Sequence, residues 1–302
     1  MSSTGRVPGF EWLRFLLRGA ALTLAAAVVL SAALAEEGEE PGPPPAPAPQ
    51  LRELPPKQEL GTRLTPGGPR IGREEMWPAP TAEDWAKPCL MTWQRTWDDA
   101  VAVAKETGKP ILVCINMDGE IASEHFAGVR YRQPEIAKIY DPYVKVIASV
   151  YRHNPRDYDD EGNRIPCPRF GGVTCGEHIW IEPIIYEKFC DGKRIAPRHI
   201  AVNLDDEEAY DVYYVDDTAG VFDAIQEGLG KFPPAKPDII RGDRPLTDRV
   251  ASRAVQDRRA VEKAYQAGDA TQRSALLDAA LKHPEAAPLD LLRMAIFGLD
   301  VD

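Results

Sequence analysis

The stretch Trp97-Asp98-Asp99-Ala100-Val101-Ala102-Val103-Ala104-Lys105-Glu106-Thr107-Gly108-Lys109-Pro110-Ile111-Leu112-Val113-Cys114-Ile115 decides the fold class. Its first half sets Trp97, Ala100, Val101 and Ala104 at helical spacing, the pattern of a helix with one apolar face. Gly108-Lys109-Pro110 then closes that helix, because glycine suits a left-handed cap and proline cannot continue the turn. Ile111 to Ile115 is wholly apolar and rich in branched residues, which predicts a central strand covered on both faces. A helix feeding a buried strand is the first half of an α/β unit.

Towards the C-terminus the pattern continues. Ile121 and Phe126, then Ile136, Ile139 and Tyr140 after Pro134, predict a second helical stretch, and Tyr143 to Val150 a second strand. Residues 152–176 read as irregular, punctuated by Asn154-Pro155, Gly162-Asn163, Pro166, Pro168 and Gly171-Gly172. Glu177 to Phe189 is expected as a helix, in which Pro183 is tolerable if it lies in the first turn, where a missing N–H costs nothing. Ile195 to Asn203 and Tyr210 to Val215 read as an antiparallel pair across the acidic turn Asp205-Asp206-Glu207-Glu208, and Val221 to Leu229 as a closing helix. The sum is an α/β fold with a mixed sheet and flanking helices.

The run from Trp97 to Val113, with its Gly108-Lys109-Pro110 entry to the central strand, resembles thioredoxin-like domains. So does Ile195-Ala196-Pro197-Arg198-His199-Ile200, which is similar to the cis-proline loop before their sheet hairpin. The similarity covers roughly residues 92 to 230. It implies a thioredoxin-like mixed sheet, and a surface at Ala196, Pro197, Arg198 and His199 that holds extended polypeptide. Redox-active members of that superfamily carry Cys-x-x-C after the central strand. Here the matching stretch is Asn116-Met117-Asp118-Gly119-Glu120-Ile121-Ala122-Ser123, with no cysteine, so the resemblance implies a redox-inactive member. Glu120 falls near a helix N-terminus, where a carboxylate is a stabiliser before it is a catalyst. It stands with Cys167 and Cys175 as a catalytic candidate.

Five cysteines remain to be placed: Cys89, Cys114, Cys167, Cys175 and Cys190. Cys114 lies inside the apolar strand and reads as a buried, inert thiol. The other four are expected to form two structural disulfides after export, Cys167 with Cys175 across a Gly-rich loop and Cys89 with Cys190. Four cysteines allow three pairings, so sequence alone leaves the connectivity open. Two sharper readings share these residues. Cys167, Cys175 and His178, with Cys190 as a further donor, could hold zinc or copper, since thiolates and imidazole suit those metals. Alternatively, Cys167 and Cys175 could form a relocated thiol-disulfide redox pair.

Other motifs weigh less. Asp157-Tyr158-Asp159-Asp160-Glu161-Gly162 matches the first half of a calcium loop, but the twelfth position is Pro168 instead of a bidentate glutamate, so it reads as an acidic surface turn. His125, His153 and His199 stand alone and are expected as ordinary hydrogen-bonded side chains. Tyr151-Arg152-His153 and Arg198-His199 could line a polar pocket at one end of the sheet.

The two ends complete the organisation. Arg6, Arg14 and Arg18 precede an apolar run from Ala20 to Leu34 that ends in small residues, the layout of a signal peptide over residues 1–35 cleaved after Ala35. That run spans about 22 Å as a helix, short of a bilayer core of roughly 30 Å. Residues 36–80, with Pro43-Pro44-Pro45-Ala46-Pro47-Ala48-Pro49, read as a Pro-rich disordered linker. A thioredoxin-like domain is expected over 81–232 and a helical C-terminal segment over 233–302. In that segment Val250, Val261, Tyr265, Leu276, Leu277, Leu281, Leu291, Leu292 and Ile296 recur at helical spacing, which suits helices packed on the domain or mediating association.

The formal net charge of −11 becomes −13 once residues 1–35, with their three arginines and Glu11, are removed. Such a chain repels phosphate backbones, so nucleic acid is not an expected partner. The expectation is an exported protein, periplasmic or secreted, that binds another protein or a peptide and needs no cofactor. It would touch a membrane only through an uncleaved signal peptide. Whether it is an enzyme stays open: the alternatives to a binding or scaffolding domain are a Cys167/Cys175 oxidoreductase and a metal-binding protein.

Overall fold

The computed structural model describes residues 51–205, 207–213 and 217–298; the expected signal peptide and the first part of the expected linker lie outside the described residues. In chain order come two short helices, α1 (Arg73–Met76) and α2 (Ala82–Ala86), then α3 (Trp97–Thr107), β1 (Ile111–Ile115), α4 (Ile121–Gly128), α5 (Pro134–Tyr140), β2 (Val144–Ala148), α6 (Cys175–Phe189), β3 (Arg198–Val202), β4 (Glu208–Tyr213) and α7 (Thr218–Gly228). Four further helices follow: α8 (Leu246–Arg249), α9 (Val255–Ala267), α10 (Ala270–Lys282) and α11 (Leu289–Phe297).

Local chemistry accounts for the boundaries that matter. The Thr96 side chain accepts from Asp99 N to start α3, and Gly108 ends it at φ +68°, a left-handed conformation that glycine takes without strain. At α6, Thr174 and Glu177 form a reciprocal capping box. The helix begins two residues earlier than expected, at Cys175, and Pro183 lies well inside it, beyond the first turn from either start. Pro183 is solvent-exposed, so the carbonyl left without its donor can turn to water.

The sheet runs β2-β1-β3-β4, with β1 parallel to β2 and antiparallel to β3, and with β3 and β4 forming an antiparallel hairpin. Alternate side chains of β1 serve two cores. Leu112 and Cys114 join Trp93, Phe126, Tyr131, Tyr140, Phe170 and Phe222 on one face, whereas Ile111 and Val113 join Trp97, Val103, Ile181 and Ile185 on the other. Burial on both faces is why the strand is apolar throughout.

One boundary has to be corrected. From Leu51 on, the stretch expected as linker to residue 80 is laid against the α/β domain. Met76 and Trp77 are buried in the first core, Leu60, Leu64 and Ile71 pack against it, and Thr62 N donates to Thr218 Oγ1 at 2.6 Å. Composition suggested a spacer because the few large apolar residues here are scattered among prolines; they reach a core that already exists. The C-terminal helices bury Val250, Val261, Tyr265, Leu276, Leu291 and Met294 in a core of their own. They are pinned to the domain by Val255 N on Gln94 Oε1 (3.1 Å) and by Arg95, which ion-pairs Glu262 and Asp290. Packing on the domain is thus the observed arrangement of the helical segment. Among the described residues no helix is long and apolar enough to cross a membrane.

Candidate metal centre

Four side chains converge where the irregular stretch after β2 meets the start of α6. His153, Cys167, Cys175 and His178 each offer one donor atom, and the four atoms all lie within 4.8 Å of one another. His153 Nδ1 is 3.3 Å from Cys167 Sγ and 3.9 Å from Cys175 Sγ. A tetrahedral zinc with bonds of about 2.3 Å to sulfur and about 2.0–2.1 Å to nitrogen sets neighbouring S···N donors roughly 3.6 Å apart, so these distances bracket the required edge.

Each donor is aimed by local structure. Cys175 is the first residue of α6, and its sulfur accepts from the backbone N–H groups of His153 (3.2 Å) and Asn154 (3.3 Å). His178 lies three residues on, on the same helical face. Cys167 opens a tight loop in which Cys167 N donates to Val173 O, Gly171 N donates to Cys167 O, and Gly171 takes φ +74°. That loop turns the backbone N–H groups of Arg169 and Phe170 towards the Cys167 sulfur.

The two imidazoles are held in complementary tautomers. His178 Nδ1 is 2.9 Å from the Ser149 carbonyl, which can only accept, so Nδ1 carries the proton and Nε2 presents a bare lone pair. That Nε2 is buried and has no hydrogen-bond partner. His153 has the reverse arrangement: Nε2 is 2.9 Å from Asp118 Oδ2, which leaves Nδ1 to face the sulfurs. Asp118 is itself braced by Arg169 (3.4 Å), whose guanidinium also pairs with Glu124 and lies over the Trp85 ring. An acceptor behind each ring nitrogen is the usual support of metal-bound histidine.

Burial sets the electrostatics. Cys167 is 1% exposed, Cys175 and His178 0%. Burial, and then the neighbouring Cys175, push the Cys167 thiol up to about 12, and burial lowers His178 to about 4 and holds His153 below the usual imidazole range. With no cation the pocket therefore favours a protonated Cys167 and neutral rings; a bound cation supplies the charge that would keep both sulfurs as thiolates. Phe170 stands over the two histidines, with ring centroids 5.8 Å from His153 and 5.0 Å from His178.

Taken alone, Cys167, His153 and Asp118 have the connectivity of a nucleophilic thiol, its base and an orienting carboxylate. The buried sulfur with its raised pKa is the opposite of an activated nucleophile, which is accessible and acidic. A second thiol and a second imidazole converging on the same point fit a closed four-donor metal site better.

Of the residues expected at a site, Cys167, Cys175 and His178 are brought together and Cys190 is not. Cys190 ends α6 in the core on the other face of the sheet, and Cys89 packs against the first core, so the expected Cys89–Cys190 disulfide is not made. All five cysteines are free thiols, including Cys167 and Cys175. His153 was expected as an ordinary side chain; its position beyond β2, far from the cysteines in sequence, hid its role. The legible part of the signal was the donor chemistry of Cys167, Cys175 and His178, thiols and an imidazole that suit the same metals.

The other candidates are structural. Glu120 caps α4, accepting from Ala122 N and Ser123 N and pairing with Arg73. A cis Ala196–Pro197 bond precedes β3, as the resemblance implied. Pro197 is buried, Arg198 is engaged by Asp211 at 2.6 Å, and His199 lies in the core against Tyr140 (2.9 Å), its pKa lowered to about 3 by burial. Of the four expected binding residues, Ala196 is the one that lines the small adjacent cleft, of about 30 Å³. The polar pocket expected from Arg152 and His153 with Arg198 and His199 is not assembled, because the two histidines face different partners. The acidic turn closes on itself: Asp159 caps Glu161 N and Asn163 N, Asp157 pairs with Arg152 and Asp160 with Arg156.

A scan against protein-family models finds no match to this chain, and a search of the curated proteins finds none either.

Proposed function

We propose that this chain is a redox-inactive thioredoxin-like protein stabilised by one zinc-class ion held by His153, Cys167, Cys175 and His178. Exported from the cytoplasm, it serves as a binding or scaffolding domain. The observation that carries the metal reading is the convergence of the four donors, all buried or nearly so, with a bare, unpartnered Nε2 on His178. Two thiolates and two neutral imidazoles balance a divalent charge, which favours zinc over a monovalent ion in a buried site. Four protein donors leave no open position for substrate, the mark of a structural site rather than a catalytic one.

The centre has a job the fold explains. It ties the irregular residues 151–174, which have little regular hydrogen bonding of their own, to the N-terminus of α6. The strand order and the βαβ-then-hairpin sequence of elements support the thioredoxin-like reading. The loop that would hold Cys-x-x-C carries Asp118, the carboxylate behind His153. Export rests on the sequence of residues 1–35 alone.

Metal analysis tests the reading: protein purified with no metal added is expected to hold one zinc-class ion per chain, and chelation to lower its unfolding temperature. The proximity of the Cys167 and Cys175 sulfurs favours one second reading, a thiol-disulfide pair. Metal-free protein that gains a Cys167–Cys175 disulfide under mild oxidant, and reduces a substrate disulfide, would establish it instead.

A further inference from the structure

A group of arginines gathers where the C-terminal helices meet the domain. Arg95 is salt-bridged to Glu262 and Asp290, and Arg164 to Glu177 and to the same Asp290. Arg293 also approaches Asp290, at 3.7 Å. Arg259, between them on α9, has no hydrogen bond or ion pair with any described residue, and neither has Lys263 one turn further on. Five cationic groups thus face three carboxylates. Both unpaired cations line a pocket of about 490 Å³ whose wall includes Arg95, Arg164, Gly171 and Gly172. Arg95 is 4% exposed, and its Nε has no partner.

The chain leaves room for this arrangement. The Arg259 guanidinium lies so close over Gly172 that a Cβ there would overlap its Nη2, while the Gly172 carbonyl accepts from Arg164 Nη2 at 3.2 Å. Burial in the pocket, and then the like charges of Arg95 and Arg164, lower the Arg259 pKa against the smaller opposing pull of Glu262 and Glu177.

We propose that this pocket binds a small oxyanion, phosphate or carboxylate in chemistry, through the Arg259 guanidinium with Lys263 as a second contact. A guanidinium fork presents paired donors that match two oxygens of such a group, and the excess positive charge at the pocket supplies the attraction. The pocket shares Gly171 and Gly172 with the Cys167 loop, but none of its cations is a donor at the metal centre.

The test is calorimetric titration of the full-length, metal-replete protein with inorganic phosphate and, in parallel, with succinate. Binding of either, weakened about tenfold or more by Arg259→Gln, is the expected result, and the stronger of the two identifies the oxyanion. Gly172→Ala, which pushes the guanidinium aside, should weaken binding similarly while the circular dichroism spectrum stays unchanged. Absence of binding by both anions at millimolar concentration, or binding that Arg259→Gln leaves intact, overturns the proposal.

Discussion

The Nδ1 atom of His153 lies 3.3 Å from the sulfur of Cys167, across a loop that brings these residues together from either side of the acidic turn. Neither residue could take that place without what stands behind it: Asp118 on the far side of the imidazole, and the Cys167–Gly171 loop on the far side of the sulfur. The contact is therefore a product of the whole arrangement.

Asp118 gives the first prediction. Its carboxylate fixes the tautomer that turns Nδ1 of His153 towards the sulfurs, and an amide accepts a hydrogen bond less strongly. Asp118→Asn should weaken metal binding about 10- to 100-fold, measured by competition with a chromogenic chelator. The far-UV spectrum should not change, and equal affinity in variant and wild type would remove Asp118 from the centre.

Asp257 tests what holds the C-terminal segment. It is 0% exposed and meets Arg241 and Arg244 at 2.6 Å and Arg249 at 2.8 Å. Asp257→Asn leaves those guanidinium groups without their shared counter-charge and should cost about 3–5 kcal/mol, read from denaturant midpoints.

The same residue fixes a pH dependence. Burial alone would raise the Asp257 pKa, but hydrogen bonds from Ser252, Arg241 and Arg249 outweigh it and hold the folded value below the usual carboxylate range. A depressed folded pKa gives stability that is present above the unfolded value, about 3.9, and is lost as pH falls through the folded one. The stability gap between wild type and Asp257→Asn should thus be full near neutrality and shrink below about pH 4. A gap that does not change with pH would contradict the assignment.

Trp77 separates a packed segment from a spacer. It is fully buried against Phe126, with ring centroids 5.5 Å apart, although it lies in a stretch whose composition reads as linker. Trp77→Ala should destabilise the domain by about 3–5 kcal/mol, measured by chemical denaturation. No change would mean that the segment contributes nothing to the fold.

These residues also show what the sequence could reveal. The α3–β1 run was legible because helix period, Gly108 and an unbroken apolar strand all point the same way, and local signals of that kind do not depend on distant partners. The role of residues 51–80 was not legible, since Trp77 acquires a core only from helices far along the chain. At the centre, Cys167, Cys175 and His178 could be grouped because thiolates and imidazole suit the same metals, but the helix that carries Cys175 and His178 together begins two residues before its expected start. His153 could not: its approach to the sulfurs depends on how a long irregular loop closes, and on an acid, Asp118, that sits in a different loop. The Cys89–Cys190 pairing failed for a related reason, because counting thiols carries no information about which face of the sheet each one occupies.

The most direct test of the central claim is the metal content and thiol state of protein purified without added metal, compared between the wild type and His178→Ala, with cobalt(II) as a spectroscopic substitute. The account predicts about one zinc per wild-type chain, free Cys167 and Cys175 after denaturation, the visible spectrum of tetrahedral thiolate-bound cobalt, and loss of metal in the variant. Metal-free wild type that takes up neither zinc nor cobalt, or equal metal in both proteins, would contradict it.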